Sequence, residues 1–339
     1  MALPESSVSV SARTILVIGA TGKQGHAFIG ATLSTGAASN LRILALTRSI
    51  ESARSRSLDD VERVKLVEGD LDDPKSIRDI FEAEKVDGKN GIWGVFMVLA
   101  FPGLGADASG EERQGKLIAD ISHEYKVEHL VFSSVERGGE DYDDQLTLDR
   151  LAKVQVERHI KSIEDLRWTI LRPVFFMDNF DGAIGKITSA VLKAGLKKDT
   201  KIQFIAADDI GQIALAVFLS SEDYAKEVIV VIGDALTTTE LTEAYTRGSG
   251  HALPSVPSAV ARILLSMNKH TKDLISDMER VSLARANASE SNEDLIARCL
   301  SLYPGMKNVE GWARARGSRK DRQKGWNNVT IGDLVKGKR

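Results

Sequence analysis

The sequence predicts an α/β protein: a doubly wound parallel sheet with a smaller C-terminal α+β lobe. Three observations predict it. Thr14-Ile15-Leu16-Val17-Ile18 is an apolar strand that runs straight into glycines at Gly19, Gly22 and Gly25 and then into the amphipathic run His26-Ala27-Phe28-Ile29-Gly30-Ala31-Thr32-Leu33. Short apolar strands then alternate with helical patterns through the first half of the chain. Alternation of that kind implies right-handed crossovers and a sheet covered on both faces. After Pro173 the pattern becomes less regular, which sets the second part apart as an added lobe.

Each element follows from its own residues. The second strand is 41–48, and the third is 64–68, closed by Gly69-Asp70-Leu71. Pro74 opens a helix with Asp72 or Asp73 as its cap, because proline suits the first helical position. A fourth strand at 95–99 leads into a glycine-rich loop, 101–110, and a helix over 111–125. The fifth strand is 129–133, a helix covers 146–163, and the sixth strand is 168–172, stopped by Pro173. Beyond it, 180–193 reads as helix, 201–205 as a short strand, and 208–219 as an amphipathic helix capped by a carboxylate. A strand at 228–232 precedes Thr237-Thr238-Thr239-Glu240, whose spacing is that of a capping box. Helical stretches at 259–285 and 292–302 complete the lobe. The organisation expected is a loose tail over 1–12, a dinucleotide-binding core over 13–173 to which later elements return, a substrate or partner lobe over 174–313, and a basic tail over 314–339.

Composition narrows the function classes. A chain of 339 residues buries a large core, and a net charge of −3 favours no class of partner. A single cysteine, Cys299, allows no internal disulfide; it lies in a helical pattern and reads as core filler in a reducing compartment. No apolar run approaches the roughly 18 residues of a membrane span. The expected location is therefore cytoplasmic, with the nucleus as the alternative. The six histidines are scattered without metal-ligand spacing, and no G-x-S-x-G elbow is present. From Arg314 onward nine Lys or Arg face two acids, but no nucleic-acid-binding motif accompanies them.

The glycine turn carries the chemistry. Strand, G-x-x-G-x-x-G and helix in that order is the context in which a dinucleotide pyrophosphate meets backbone N–H groups at a helix N-terminus, where Cβ atoms would block it. Gly19, Thr21, Gly22, Lys23, Gln24 and Gly25 are the candidate phosphate-loop residues. An NAD site places Asp or Glu at the end of the second strand. Here that strand ends in Arg48, whose guanidinium suits a 2′-phosphate, so the cofactor expected is NADP(H). In an open α/β sheet ligands bind beyond the carboxyl ends of the strands. That rule adds Asp70 and Leu71 at the adenine, Leu99, Ala100 and Phe101 after the fourth strand, Ser133 after the fifth, and Pro173, Phe175 and Phe176 after the sixth. Asp70 also fits a plain turn or helix cap.

These segments resemble the short-chain dehydrogenase/reductase superfamily of Rossmann proteins, and within it the atypical branch of NmrA-like and isoflavone-reductase-like proteins. The likeness rests on Gly19-Ala20-Thr21-Gly22-Lys23-Gln24-Gly25, Arg48, Val67-Glu68-Gly69-Asp70-Leu71-Asp72, Phe132-Ser133-Ser134, Leu151-Ala152-Lys153-Val154-Gln155-Val156-Glu157, Trp168-Thr169-Ile170-Leu171-Arg172-Pro173 and Phe176-Met177-Asp178-Asn179-Phe180. It covers residues 14–245. The superfamily's Tyr-x-x-x-Lys pair is incomplete here: Lys153 fills the lysine place and Asp149 the tyrosine place. The resemblance implies either Lys153 acting itself as acid/base in an NADPH-dependent reductase of a small organic substrate, or Lys153 only holding the ribose in an NADP(H)-sensing regulator with a protein partner. Ser133 is the candidate for a substrate carbonyl, and Tyr142, in the acidic loop, for a proton donor from outside the motif. A surface lysine paired with Glu157 at i,i+4 is the structural alternative for Lys153.

Overall fold

The computed structural model describes residues 12–58, 63–88, 91–103 and 105–317. The expected N-terminal tail up to residue 11 and the basic segment from 318 onward lie outside them.

Seven parallel strands form the main sheet: β1 (Arg13–Ile18), β2 (Leu41–Thr47), β3 (Val64–Glu68), β4 (Ile92–Met97), β5 (His129–Ser133), β6 (Trp168–Pro173) and, after an excursion, a later strand at Glu227–Val231. Between them run α1 (Lys23–Ser34), α2 (Ala53–Arg56), α3 (Pro74–Ala83), α4 (Ser109–Glu124) and α5 (Leu148–Ser162). The excursion contributes β7 (Phe175–Phe176), α6 (Gly182–Gly195), β8 (Ile202–Ile205) and α7 (Ala207–Leu219), so the returning strand is β9. The chain continues through β10 (Asp234–Leu236), α8 (Thr238–Ser249), α9 (Ser258–Met267), α10 (Lys269–Ala286), α11 (Asn292–Leu302) and α12 (Val309–Gly317). The strand order is β3-β2-β1-β4-β5-β6-β9, all parallel. Its direction reverses between β1 and β4, and the crevice at that point is where such sheets bind ligands.

Strand periodicity sorts the core into two layers. Ile15, Val17, Ile43 and Ala45 face Phe28, Ile213 and Phe218 of α1 and α7; Leu16, Ile18, Leu44 and Leu46 face Ile77, Phe81 and Ile118 of α3 and α4. α7 lies against α1 with almost no gap, since a Cβ on Gly211 would fall 2.4 Å from the Ala27 carbonyl carbon. A separate apolar cluster (Phe180, Leu192, Phe204, Leu241, Trp312) fills the space under α6, α8, α9 and α12. It is roofed by the small sheet β10-β8-β7. Cys299 is fully buried on α11, as expected of core filler, and lies 3.1 Å from the Val230 carbonyl.

The structure settles some local expectations and corrects others. Asp73 is the cap of α3, its carboxylate accepting from Lys75 N at 3.1 Å. α7 has no cap from Asp208: it begins at Ala207, and the carboxylate on its first N–H belongs to Asp178, at 2.9 Å. The stretch at 180–193 divides into a tight turn at Met177–Phe180 and α6. The stretch at 259–285 is two helices, because Asn268 ends α9 and caps α10 through its side chain on Thr271 N. The capping box at Thr237 and Glu240 is present. Among the described residues no helix is long and apolar enough to cross a membrane.

Candidate functional site

The glycine turn sits at the β1–β4 reversal. Gly19 takes φ +75°, and a Cβ there would lie 2.4 Å from the Val98 carbonyl oxygen. A Cβ on Gly25 would lie 2.3 Å from the Gly19 oxygen. These two glycines exist for backbone packing. Gly22 differs: its φ of −86° suits any residue, and the only atom near a Cβ would be the Gly19 oxygen at 3.1 Å. Gly22 is the N-cap of α1, and no side chain caps that helix. Backbone N–H groups and the positive end of the helix dipole therefore face open space at that point.

Two hydrogen bonds tie this turn to other segments of the chain. Ser133 Oγ donates to Gln24 Oε1 at 2.7 Å, tying the end of β5 to the first turn of α1. Lys23 Nζ donates to the Asp178 carbonyl at 3.4 Å. Arg48 is exposed just past β2. The Asp72 carboxyl is held below its ordinary range chiefly by the hydrogen bond from Arg113, at 2.7 Å, with Arg48 adding to the pull. Asp70 is in a turn, its carboxylate accepting from Asp72 N at 3.0 Å, while Leu71 packs on the α3 and α4 side of the core. Leu99 is buried, Ala100 and Phe101 are exposed, and the Pro173 carbonyl accepts from Glu136 N at 3.0 Å. Phe175 packs against Phe180 and Phe204, with ring centroids 5.8 Å and 5.9 Å away. Thr21 and Phe176 are partly exposed.

Lys153 is not a surface lysine paired with Glu157. Its ammonium forms an ion pair with Glu111 of α4, and only 13% of its side chain is accessible. Burial pulls the ammonium down to about 8. Burial also raises the Asp149 carboxyl above its usual range. Tyr142 lies half-exposed on the loop before α5, its ring stacked under the Arg280 guanidinium of α10 at 4.2 Å.

Sequence reasoning did not find the charged network behind these residues. Glu157, 1% exposed, accepts from Ser134, from Arg137 at 2.8 Å and from Arg172 at 2.5 Å. Arg137 also holds Asp143, and Arg172 holds Glu140, at 2.5 Å in each case. Burial pushes the Glu157 carboxyl up, and the hydrogen bonds from Arg172 and Arg137 outweigh it, leaving the group below the ordinary carboxylate range. α10 closes over this segment: Arg280 donates to the Arg137 carbonyl at 2.9 Å, and Arg285 pairs with Glu136 at 2.5 Å. The sequence signal was there, since Glu157 stands in register with the buried Val156 and Ile160. Among the described residues no cluster of three or more His, Cys, Asp or Glu has the arrangement of a metal site.

A parallel sheet in this strand order, with a glycine turn opening onto an uncapped helix at its reversal point, defines an α/β protein of the Rossmann type. The chain belongs to the NmrA-like family, which matches residues 11–313. It is 27% identical over 260 residues to the NmrA-like family domain-containing oxidoreductase notA' of Aspergillus versicolor, covering 70% of this chain and 69% of that one. It is 28% identical over 132 residues to agroclavine dehydrogenase of Claviceps fusiformis, a match spanning 38% of this chain and 42% of the dehydrogenase. Its fold is similar to that of NmrA, a negative transcriptional regulator, in complex with NADP, with a TM-score of 0.63, 16% identity, and 90% and 95% of the two chains covered.

Proposed function

We propose that this NmrA-like protein binds NADP(H) along the carboxyl edge of the sheet and acts as an oxidoreductase on a small organic substrate. The observation that carries this reading is the open cradle at Gly22, where bare backbone at the start of α1 leaves room for a pyrophosphate that any Cβ would crowd. Arg48 takes the 2′-phosphate, Asp70 and Leu71 border the adenine, and Lys153 holds the nicotinamide ribose. Ser133, whose single hydroxyl proton is taken by Gln24 in the free protein, turns that donor to a substrate carbonyl. Leu99, Ala100, Phe101, Pro173, Phe175 and Phe176 form the rim. When bound, the dinucleotide supplies a hydride; the chain supplies a buried ammonium at Lys153 Nζ that carries a transferable proton. The family and the relatives named as oxidoreductase and dehydrogenase support this assignment.

A second reading, an NADP(H)-sensing regulator acting through a protein partner, has one observation in its favour. Val260, Ile263 and Met267 of α9 are exposed at helical spacing, an apolar stripe such as a partner would cover. Loss of NADPH absorbance is measured with a panel of carbonyl and activated-alkene compounds, beside calorimetric NADPH titration. Binding with turnover supports the enzyme, and binding without turnover across the panel supports the regulator. The absence of NADPH binding refutes both.

A further inference from the structure

The ion pair between α4 and α5 has a geometry that a surface contact lacks. A Cβ on Gly115 of α4 would fall 2.5 Å from Val156 of α5, so the two helices touch there. Both helices cross back over the same face of the sheet, running in the same direction. Glu111 is one turn before Gly115, Lys153 is nearly one turn before Val156, and the close approach brings the two side chains together. Glu111 stands in the first turn of α4, where a glutamate ordinarily folds back on its own N-cap. Here it crosses to the neighbouring helix instead. Its side chain is 1% accessible, one carboxylate oxygen takes the Lys153 ammonium, and the other, Oε2, is buried with no partner among the described residues.

The other charges around Lys153 do not serve it. On α5, Glu157 is committed to Ser134, Arg137 and Arg172, and Asp149 carries a carboxyl that burial makes harder to ionise. On the side of α10, Asp277 is paired with Arg150 and Arg280. That leaves Glu111 as the acid that faces the lysine from α4.

We propose that Glu111 is the positioning residue of Lys153: its carboxylate fixes the ammonium at the carboxyl edge of the sheet and keeps it charged, so that the lysine enters the site as a held proton donor without a tyrosine. This deepens the reading of Lys153 given above and rests on it for the lysine's role, but not for the pairing. An unpaired ammonium this buried gives up its proton more readily than one facing a carboxylate. The missing Tyr of the Tyr-x-x-x-Lys pattern is thereby replaced by a partner on another helix, which spacing along the sequence does not reveal.

The test reads Lys153 directly in the full chain. Lysines are reductively dimethylated with isotope-labelled formaldehyde, the Lys153 resonance is assigned by its absence in Lys153→Arg, and its pH titration is followed by NMR. In Glu111→Gln the midpoint should fall by at least about one pH unit, a tenfold change in the ionisation constant. Glu111→Asp, which keeps the charge on a shorter arm, should fall between the two and serves in place of Glu111→Gln if that variant does not fold. Asp149→Asn should leave the midpoint within a few tenths of a unit of wild type. An unmoved midpoint in the Glu111 variants, or an equal shift in Asp149→Asn, overturns the proposal. Calorimetric titration with NADPH on the same unlabelled samples separates the two ideas: if the wild type binds no NADPH while the midpoint still shifts, the functional reading fails and the pairing stands.

Discussion

Gly22→Val tests the cradle more sharply than any other substitution. The three glycines of the turn are chemically identical, yet the structure gives them unequal tolerance. At Gly19, φ of +75° alone costs a Cβ-bearing residue about 1–2 kcal/mol, and a contact of 2.4 Å to the Val98 oxygen forces backbone to move. Forced overpacking adds about 1–3 kcal/mol, so Gly19→Ala should lose about 2–5 kcal/mol. At about 2 °C per kcal/mol for a chain of this size, Tm should fall by roughly 4–10 °C. Gly22 sits in extended backbone, with a single contact of 3.1 Å to the Gly19 oxygen. Losing glycine at an N-cap costs up to about 1 kcal/mol, and restricting the unfolded chain returns about 0.4–1 kcal/mol, so Tm should change by no more than a few degrees. Binding should behave in the opposite way. The new side chain stands over the N–H groups of the first turn of α1, and losing two charge-assisted hydrogen bonds at about 1.5–3 kcal/mol each removes about two to four decades of affinity. Differential scanning calorimetry supplies the Tm values and isothermal titration with NADPH supplies Kd. A folded Gly22→Val protein that binds NADPH with wild-type affinity would refute the reasoning, as would a Gly19→Ala protein as stable as wild type.

Three further outcomes follow from other residues. Arg48→Ala should lower NADPH affinity about tenfold or more while sparing NADH, because one charge-assisted pair to the 2′-phosphate is worth about 1.5–3 kcal/mol; equal binding of the two dinucleotides by wild type, in the same titration, counts against Arg48. Once a substrate is found, Lys153→Ala should cost at least about a hundredfold in kcat and Asp149→Asn far less, and near-normal kcat in Lys153→Ala removes the lysine as proton donor. Glu140 is pushed up by burial but drawn down to about 2 by Lys161 and Arg172, against an ordinary 4.5, so the stability it contributes is complete above about pH 4.5 and is lost as pH falls toward 2. Glu140→Gln should flatten the fall of Tm across that window, and an unchanged slope would show that the pairing adds nothing.

Periodicity made the sheet legible and left the lobe half-read. Strands such as Leu41–Thr47 and helices such as Pro74–Ala83 carry their register in local residues, so the order of elements and the two covered faces could be foreseen. The break at Asn268 was missed because α9 and α10 present one continuous helical pattern, interrupted only by a capping side chain. The cap on α7 was misassigned because its carboxylate comes from Asp178, 29 positions away. At the candidate site, the glycine turn was proposed from spacing and Lys153 from the family resemblance. The partner of Lys153 was not, since local spacing offered Asp149 and Glu157 while the fold delivers Glu111 from another helix. A signal did exist: Glu111, Gly115, Ile118 and Ser122 share the buried face of α4, and an acid in an apolar register calls for a counter-charge.

The same logic explains why so much charge is buried behind β5. Ion pairs removed from water contribute little net stability, because desolvation offsets their attraction, but breaking one leaves an uncompensated charge costing about 3–5 kcal/mol. A network of that kind penalises displacement more than it rewards folding. Arg137 and Arg172 share Glu157, which pins the start of the loop after β5 to the middle of α5 and the end of β6. Glu136 and the Arg137 carbonyl are in turn held by Arg285 and Arg280, so α10 is latched to that loop. Lys153 lies on the same helix as Glu157, one turn away, and so inherits its position from this lattice as well as from Glu111. α10 is thereby joined by charge to the loop that Glu157 holds, and a substitution there such as Arg285→Ala should reach Lys153 without touching it.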